Sequence, residues 1–197
     1  MTKHRSQDER RAQILSAARE CFIRNGYAHT RVDDIAREAG LSKGGVYFHF
    51  DSKREIFDAL LAQQQERTAA LVAEIESGEG GTFDKLTRLG TALLRNFSEG
   101  DDHRKFLIVL AEMGIREDDV YGRVAEAHER YVEALARVIE RGVEHGEFRD
   151  INPRMAALFL KLLVDGTEQG IALGYDFDVF EFMSAGLDFL LRGIAPR

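Results

Sequence analysis

Lys43, Tyr47, His49 and Lys53 fall within eleven residues of one another, and each can hold a phosphate oxygen. The two lysines supply cations. The phenol and the imidazole supply N–H or O–H donors. Contacts of this kind fix a protein on a nucleic-acid backbone without reading its sequence. Thr30 and Ser42 stand where they can open short helices, whose first N–H groups also suit phosphate. Directly after them come Arg31 and Lys43, the side chains best placed to reach base edges. Gly44 and Gly45 follow, two glycines in a short helix, at a cost of about 1 kcal/mol each relative to alanine. They also remove side chains that would read bases, so shape readout is expected to carry more of the specificity.

Two short helices must position these groups. Val32, Ile35, Ala36 and Ala39 recur at helical spacing, and Gly40 offers the left-handed conformation of a tight turn. The second helix, opened by Ser42, turns Val46 and Phe50 inward and Lys43, Tyr47 and His49 outward. Two helices joined through such a turn make a helix-turn-helix, whose second helix enters the major groove. Upstream, Ser6-Gln7-Asp8-Glu9 has capping-box spacing and starts a helix with Ile14, Ala17, Ala18, Cys21 and Phe22 on one face, ending near Asn25-Gly26. Ser52-Lys53-Arg54-Glu55 repeats the box and opens a long fourth helix through Ile56, Leu60, Leu61, Leu71, Val72 and Ile75.

The residues from Thr30 to Lys53 resemble the TetR family of bacterial regulators. The resemblance rests on Thr30, Ile35-Ala36, Ala39-Gly40, Ser42-Lys43-Gly44, Tyr47-Phe48-His49-Phe50 and Ser52-Lys53, with Phe22, Gly26 and Tyr27 before them. It is specific over about residues 10–60. Beyond that it extends only to the number and order of helices. Gly45 departs from the pattern, where the family usually has Thr, Ser or Ala. The resemblance implies that Thr30 caps the second helix, and that two C-terminal helices from each subunit form a four-helix dimer bundle.

Charge is distributed to match. The 197 residues carry a net charge of −7. Residues 1–57 hold 11 Lys/Arg against 8 Asp/Glu, whereas residues 58–197 hold 16 against 26. A basic front on an acidic body fits a DNA-binding head on a regulatory domain. No apolar run approaches the ~20 residues of a membrane span, the N-terminus lacks an apolar leader, and the single cysteine excludes an internal disulfide. A cytoplasmic protein is expected. No zinc-ligand spacing, phosphate loop, nucleophile elbow or His-Glu-x-x-His occurs, so neither a metal, a cofactor nor an enzyme activity is expected.

The remaining chain reads as helices broken at residues 77–81 and 98–102. A fifth begins near Thr82, with Phe83, Leu86, Leu89, Leu93, Leu94 and Phe97. A sixth runs from about His103 to Met113, and a seventh from about Asp119 to His145. An eighth is opened by Asn152-Pro153 and runs to about Gly170, and a ninth spans about Phe177–Leu191. The last two are apolar over more than one face, including Leu187, Leu190 and Leu191, as a dimer interface requires. Inward aromatic and Met residues beside isolated polar groups suggest an apolar cavity among the sixth, seventh and eighth helices. Its candidate lining is Phe106, Met113, Tyr121, His128, Tyr131, Phe159, Asp165 and Gln169. For His128, a half-buried histidine bonded to a neighbour is the competing reading, and Asp165 and Gln169 share it. Cys21 reads as a small buried hydrophobe.

The expected fold is all-α with about nine helices. A helix-turn-helix DNA-binding domain covers residues 1–57, and a ligand-binding and dimerisation domain covers 58–197. The expected function is a ligand-responsive repressor, a homodimer on a palindromic double-stranded DNA operator, released by a small lipophilic effector. The rival is an all-α small-molecule-binding protein or enzyme without DNA binding.

Overall fold

A computed structural model describes residues 6–77, 80–98 and 101–194, apart from the side chains of 77, 83, 93–98, 101, 187 and 190–194. The expected breaks at 78–79 and 99–100, and the side chains of Phe83, Leu93, Leu94, Phe97, Leu187, Leu190 and Leu191, therefore lie outside the described residues. Among the described residues there are nine helices and no strand. They are α1 (Gln7–His29), α2 (Val32–Glu38), α3 (Lys43–Tyr47), α4 (Lys53–Ser77), α5 (Thr82–Ser98), α6 (Asp101–Arg116), α7 (Asp118–Glu144), α8 (Pro153–Ala172) and α9 (Val179–Ile194).

Local chemistry sets the helix ends. Ser6 accepts from the Glu9 N–H at 3.1 Å, and the Glu9 carboxylate accepts from the Ser6 N–H at 2.7 Å, a complete capping box. Gly26, at φ 73°, breaks the helical path as its position suggests, but a further short turn carries the segment on to His29. Asn152 caps α8 by accepting from the Met155 N–H at 3.0 Å, with Pro153 at the first turn. At the start of α4, Ser52 accepts from the Glu55 N–H at 3.1 Å. The Glu55 carboxylate reaches one residue past the expected box and takes the Asp51 N–H at 2.6 Å.

The chain forms two compact units: Met1–Glu66 with Lys105–Tyr121, and Arg67–Arg104 with Gly122–Arg197. The first unit therefore continues past Phe57 and recruits α6 from Lys105 onward. Its core joins Ile14, Phe22, Ile35, Val46, Phe50 and Phe57 to Phe106, Leu110 and Met113. The Phe57 and Phe106 rings lie 6.3 Å apart. Burying each such side chain contributes about 1.5–3 kcal/mol. Arg54 ties the same segments together through ion pairs to Asp58, Glu117 and Asp119.

In the second unit, α7 presents Tyr131, Leu135 and Val138 at helical spacing to Ile75, Leu86, Leu89, Ala157 and Val164. Phe148 folds back over α7 at Gly142. A Cβ there would meet its ring at 2.6 Å, so only glycine fits. Beside it, the Glu147 carboxylate accepts the Thr82 N–H at 3.0 Å and so fixes the first turn of α5.

Candidate nucleic-acid interface and effector pocket

The turn between α2 and α3 is set by Gly40, at φ 63°, and closed by the Leu41 N–H donating to the Ala36 carbonyl at 2.8 Å. Ser42 caps α3 by accepting from the Gly45 N–H at 3.1 Å. Val46 and Phe50 are buried, and Tyr47 is exposed. Two residues of α1 brace this pair from behind. Arg11 donates to the His49 carbonyl at 2.6 Å and stacks over the Phe50 ring at 4.1 Å. Gln13 donates to the Ala39 carbonyl at 2.6 Å. Neither residue carried a motif, because their role depends on where α1 crosses the pair.

The candidate DNA contacts separate into two groups. Arg31, Ser42, Lys43, Gly44 and Tyr47 lie on the surface, with Gly45 and His49 half-buried beside them. The His49 Nδ1 is enclosed without a hydrogen bond, so Nε2 is the nitrogen left for an outside acceptor. Thr30 and Lys53 are placed differently from expectation. Thr30 is buried, with Oγ1 donating to the carbonyls of Gly26 at 2.8 Å and Cys21 at 3.1 Å. It ends α1. The N-cap of α2 is Arg31, whose N–H donates to Asp34 at 3.0 Å. Lys53 turns inward onto the carbonyls of Tyr27 at 2.7 Å and Thr30 at 2.8 Å, with its ammonium 4.3 Å above the Tyr27 ring. Burial holds its pKa below the ordinary lysine value. Both residues build the interface from inside. Lys43 does not stand alone either, since its ammonium pairs with the Asp33 carboxylate at 2.7 Å. Phe48, the most exposed aromatic of this segment at 77 %, has no polar atom to offer a phosphate, so its type gives no sign of a place at this surface. Cys21 is buried, and burial raises its thiol pKa, which suits an inert core residue.

The second unit contains a cavity of about 210 Å³ between α5, α7, α8 and α9. Leu86, Leu89, Leu135, Leu160 and Met183 form apolar walls, and Tyr131 adds a buried phenol. Of the eight candidate ligand residues, Tyr131 alone lines it. His128 and Asp165 stand nearby, with His128 Nδ1 3.9 Å from the Asp165 carboxylate, which also pairs with Lys161. The Lys161 ammonium lies 5.4 Å from the Tyr131 ring centre. Glu168 joins this group. Its carboxyl is pushed up from the ordinary value by burial first and by Asp165 second, and Lys161, Arg104 and Arg67 counter the shift. Phe106 and Met113 instead belong to the core of the first unit, while Tyr121, Phe159 and Gln169 face outward. An apolar stripe identifies residues that will be buried without saying against what; α7 and α8 line the cavity as expected, but α5 and α9 stand where α6 was expected.

Among the described residues no group of three or more His, Cys, Asp or Glu could hold a metal ion, and no helix is long and apolar enough to cross a membrane. The sequence profile of "Bacterial regulatory proteins, tetR family" matches residues 14–60, and that of "Tetracyclin repressor-like, C-terminal domain" matches residues 79–169. The HTH-type transcriptional regulator TtgR of Pseudomonas putida is 31% identical in an alignment covering 100% of this chain and 98% of that protein. The chain belongs to the TetR family. Two solved structures show the same fold at lower identity. The ketosteroid transcriptional regulator KstR2 of Mycobacterium tuberculosis superposes with a TM-score of 0.79 at 22% identity, covering 99% of this chain and 98% of that one. A TetR transcription regulator from Haloarcula marismortui superposes with a TM-score of 0.78 at 21% identity, covering 96% and 100%. As a TetR-family transcriptional regulator, the chain carries the family's helix-turn-helix domain on α2 and α3 and its C-terminal regulatory domain.

Proposed function

We propose that this regulator is a cytoplasmic repressor that binds a palindromic operator as a homodimer and leaves it when a lipophilic small molecule occupies the second unit. The observation that carries this reading is the pairing of a braced helix-turn-helix surface with an apolar cavity in one chain. Arg31, Lys43, Tyr47 and the His49 Nε2 are the groups assigned to the duplex. Dimerisation is assigned to an apolar stripe on α8, Met155, Phe159 and Leu162, with Phe182 and Phe189 on α9. All five are exposed in the single chain, and a stripe of this kind marks a protein–protein surface. Two half-sites then bind together, which single heads cannot do. The effector is assigned to the walls formed by Leu89, Leu135 and Leu160, with the Tyr131 hydroxyl as a polar contact. Fatty-acyl compounds and aromatic or cationic drugs are the classes to screen. Effector binding shifts a two-state equilibrium only as far as it prefers the DNA-free form.

The test is fluorescence anisotropy on duplexes enriched from a random library, with sedimentation on the same protein. The proposal expects a dimer, salt-dependent duplex binding, and release by at least one lipophilic class. Phe159→Glu is expected to give a monomer that binds the enriched duplex at least tenfold more weakly. A wild-type chain that binds small molecules but not duplex would favour the all-α carrier reading instead.

A further inference from the structure

The pair formed by Lys43 and Asp33 has a hydrogen-bonding face of its own. The Lys43 ammonium donates to Asp33 Oδ2 at 2.7 Å, and both side chains are more than half exposed. One of three N–H donors is used, which leaves two. Oδ1 of the same carboxylate remains an acceptor. The pair is neutral as a whole and presents two donors beside one acceptor, on the first turns of α2 and α3.

The backbone next to it is bare. Neither Gly44 nor Gly45 has a positive φ. A Cβ on Gly44 would find nothing nearer than 3.9 Å, and on Gly45 nothing nearer than 3.4 Å. Internal packing and turn geometry therefore do not demand glycine at either position, although glycine weakens a helix. Their absent side chains do leave the outer surface of α3 open to close approach by a partner.

A G·C pair offers the complementary edge. Across the major groove it shows the guanine N7 and O6 acceptors and then the cytosine N4 amino donor. An A·T pair shows acceptor, donor, acceptor and a methyl group, which leaves one lysine N–H facing a donor and the carboxylate facing an oxygen. A lone carboxylate would be repelled by the phosphates. Tied to Lys43, it reaches a duplex without net charge.

We propose that Lys43 and Asp33 act together to read one G·C pair in each half-site, the lysine on the guanine and the aspartate on the cytosine amine. This rests on the assignment of α3 to the major groove made above. It makes Asp33, an acidic residue in a basic head, a determinant of specificity.

The experiment enriches duplexes from a randomised library with the full-length wild type, Asp33→Ala and Lys43→Ala, and then measures affinities for enriched and random duplexes at several salt concentrations. The wild type is expected to prefer G·C at one position of each half-site by about tenfold or more, the discrimination of a good paired contact. Asp33→Ala is expected to lose that preference at that position alone. It should also bind random duplex more tightly, because a negative charge has left the interface while Lys43 remains. Lys43→Ala should lose the same preference and bind all duplexes more weakly. A variant that merely folds poorly would not combine weaker discrimination with stronger non-specific binding. Identical preferences for wild type and Asp33→Ala at every position would overturn the inference and leave DNA binding intact. Failure of the wild type to bind any duplex would overturn the assignment beneath it.

Discussion

Lys53 Nζ donates to the backbone carbonyl of Thr30 at 2.8 Å and to that of Tyr27 at 2.7 Å, so one ammonium joins the end of α1 to the start of α4. The carbonyls at a helix end have no partner within the helix; the half-buried Lys53 supplies one, beside the Thr30 N–H that the Tyr27 carbonyl also accepts at 3.3 Å. Lys53→Met is expected to lower stability by about 1–3 kcal/mol, the cost of leaving such acceptors unmet. Thermal unfolding measures this. The salt dependence of duplex binding should be unchanged. An unaltered melting temperature with a flatter salt slope would instead return Lys53 to a phosphate.

Glu168 makes stability depend on pH. Burial, and then Asp165, hold its carboxyl above the ordinary value of 4.5. Between that value and the raised one, the folded chain binds more protons than the unfolded chain. This group's contribution to stability is therefore full at acid pH and is lost as pH rises through the window. Glu168→Gln is expected to melt above the wild type at pH 7, with the gap closing as pH falls toward 4.5. Equal melting temperatures at both pH values would show the carboxylate to be well compensated.

Gly142 tests the close approach of Phe148. With ring carbons 2.6 and 2.7 Å from where a Cβ would stand, Gly142→Ala must displace the ring. Overpacking of this kind costs about 1–3 kcal/mol. Phe148→Leu in the same chain should recover part of the loss, measured by urea unfolding. No recovery would place the strain elsewhere.

A fragment of residues 1–57 is expected not to unfold cooperatively. Its core lacks Phe106, Leu110 and Met113, which cover Phe57 in the complete unit. In the full chain, Phe106→Ala should cost about 3–5 kcal/mol, the range for a buried aromatic. A sharp thermal transition of the fragment would show that three helices suffice.

Where the cause was local, the sequence was readable. Ser6, Ser42 and Asn152 cap the helices they precede, because a cap depends on residues three or fewer apart. The helix-turn-helix was legible for the same reason, with Gly40 supplying its one left-handed residue. Thr30 was misread because a buried threonine ending one helix and an exposed one starting the next look alike in sequence. What decides between them is the carbonyl of Cys21, nine residues back. Phe106 and His128 sit on equally apolar stripes, and nothing in their spacing tells a core from a cavity wall. Asp33 is not legible in the sequence because an unpaired carboxylate is repelled by phosphate, and only the fold brings Lys43 to it.

The core shared by α1–α3 with Phe106, Leu110 and Met113 also has a consequence in time. The ribosome delivers Glu66 well before it delivers Lys105–Tyr121, which complete the first unit. Chain growth at about 5–20 residues per second makes that wait on the order of several seconds. During it, Phe57, Leu60 and Leu61 have no cover from α6. Exposed apolar surface of this kind is what chaperones cover, and a pause in translation before residue 105 would lengthen the exposure to proteases and aggregation.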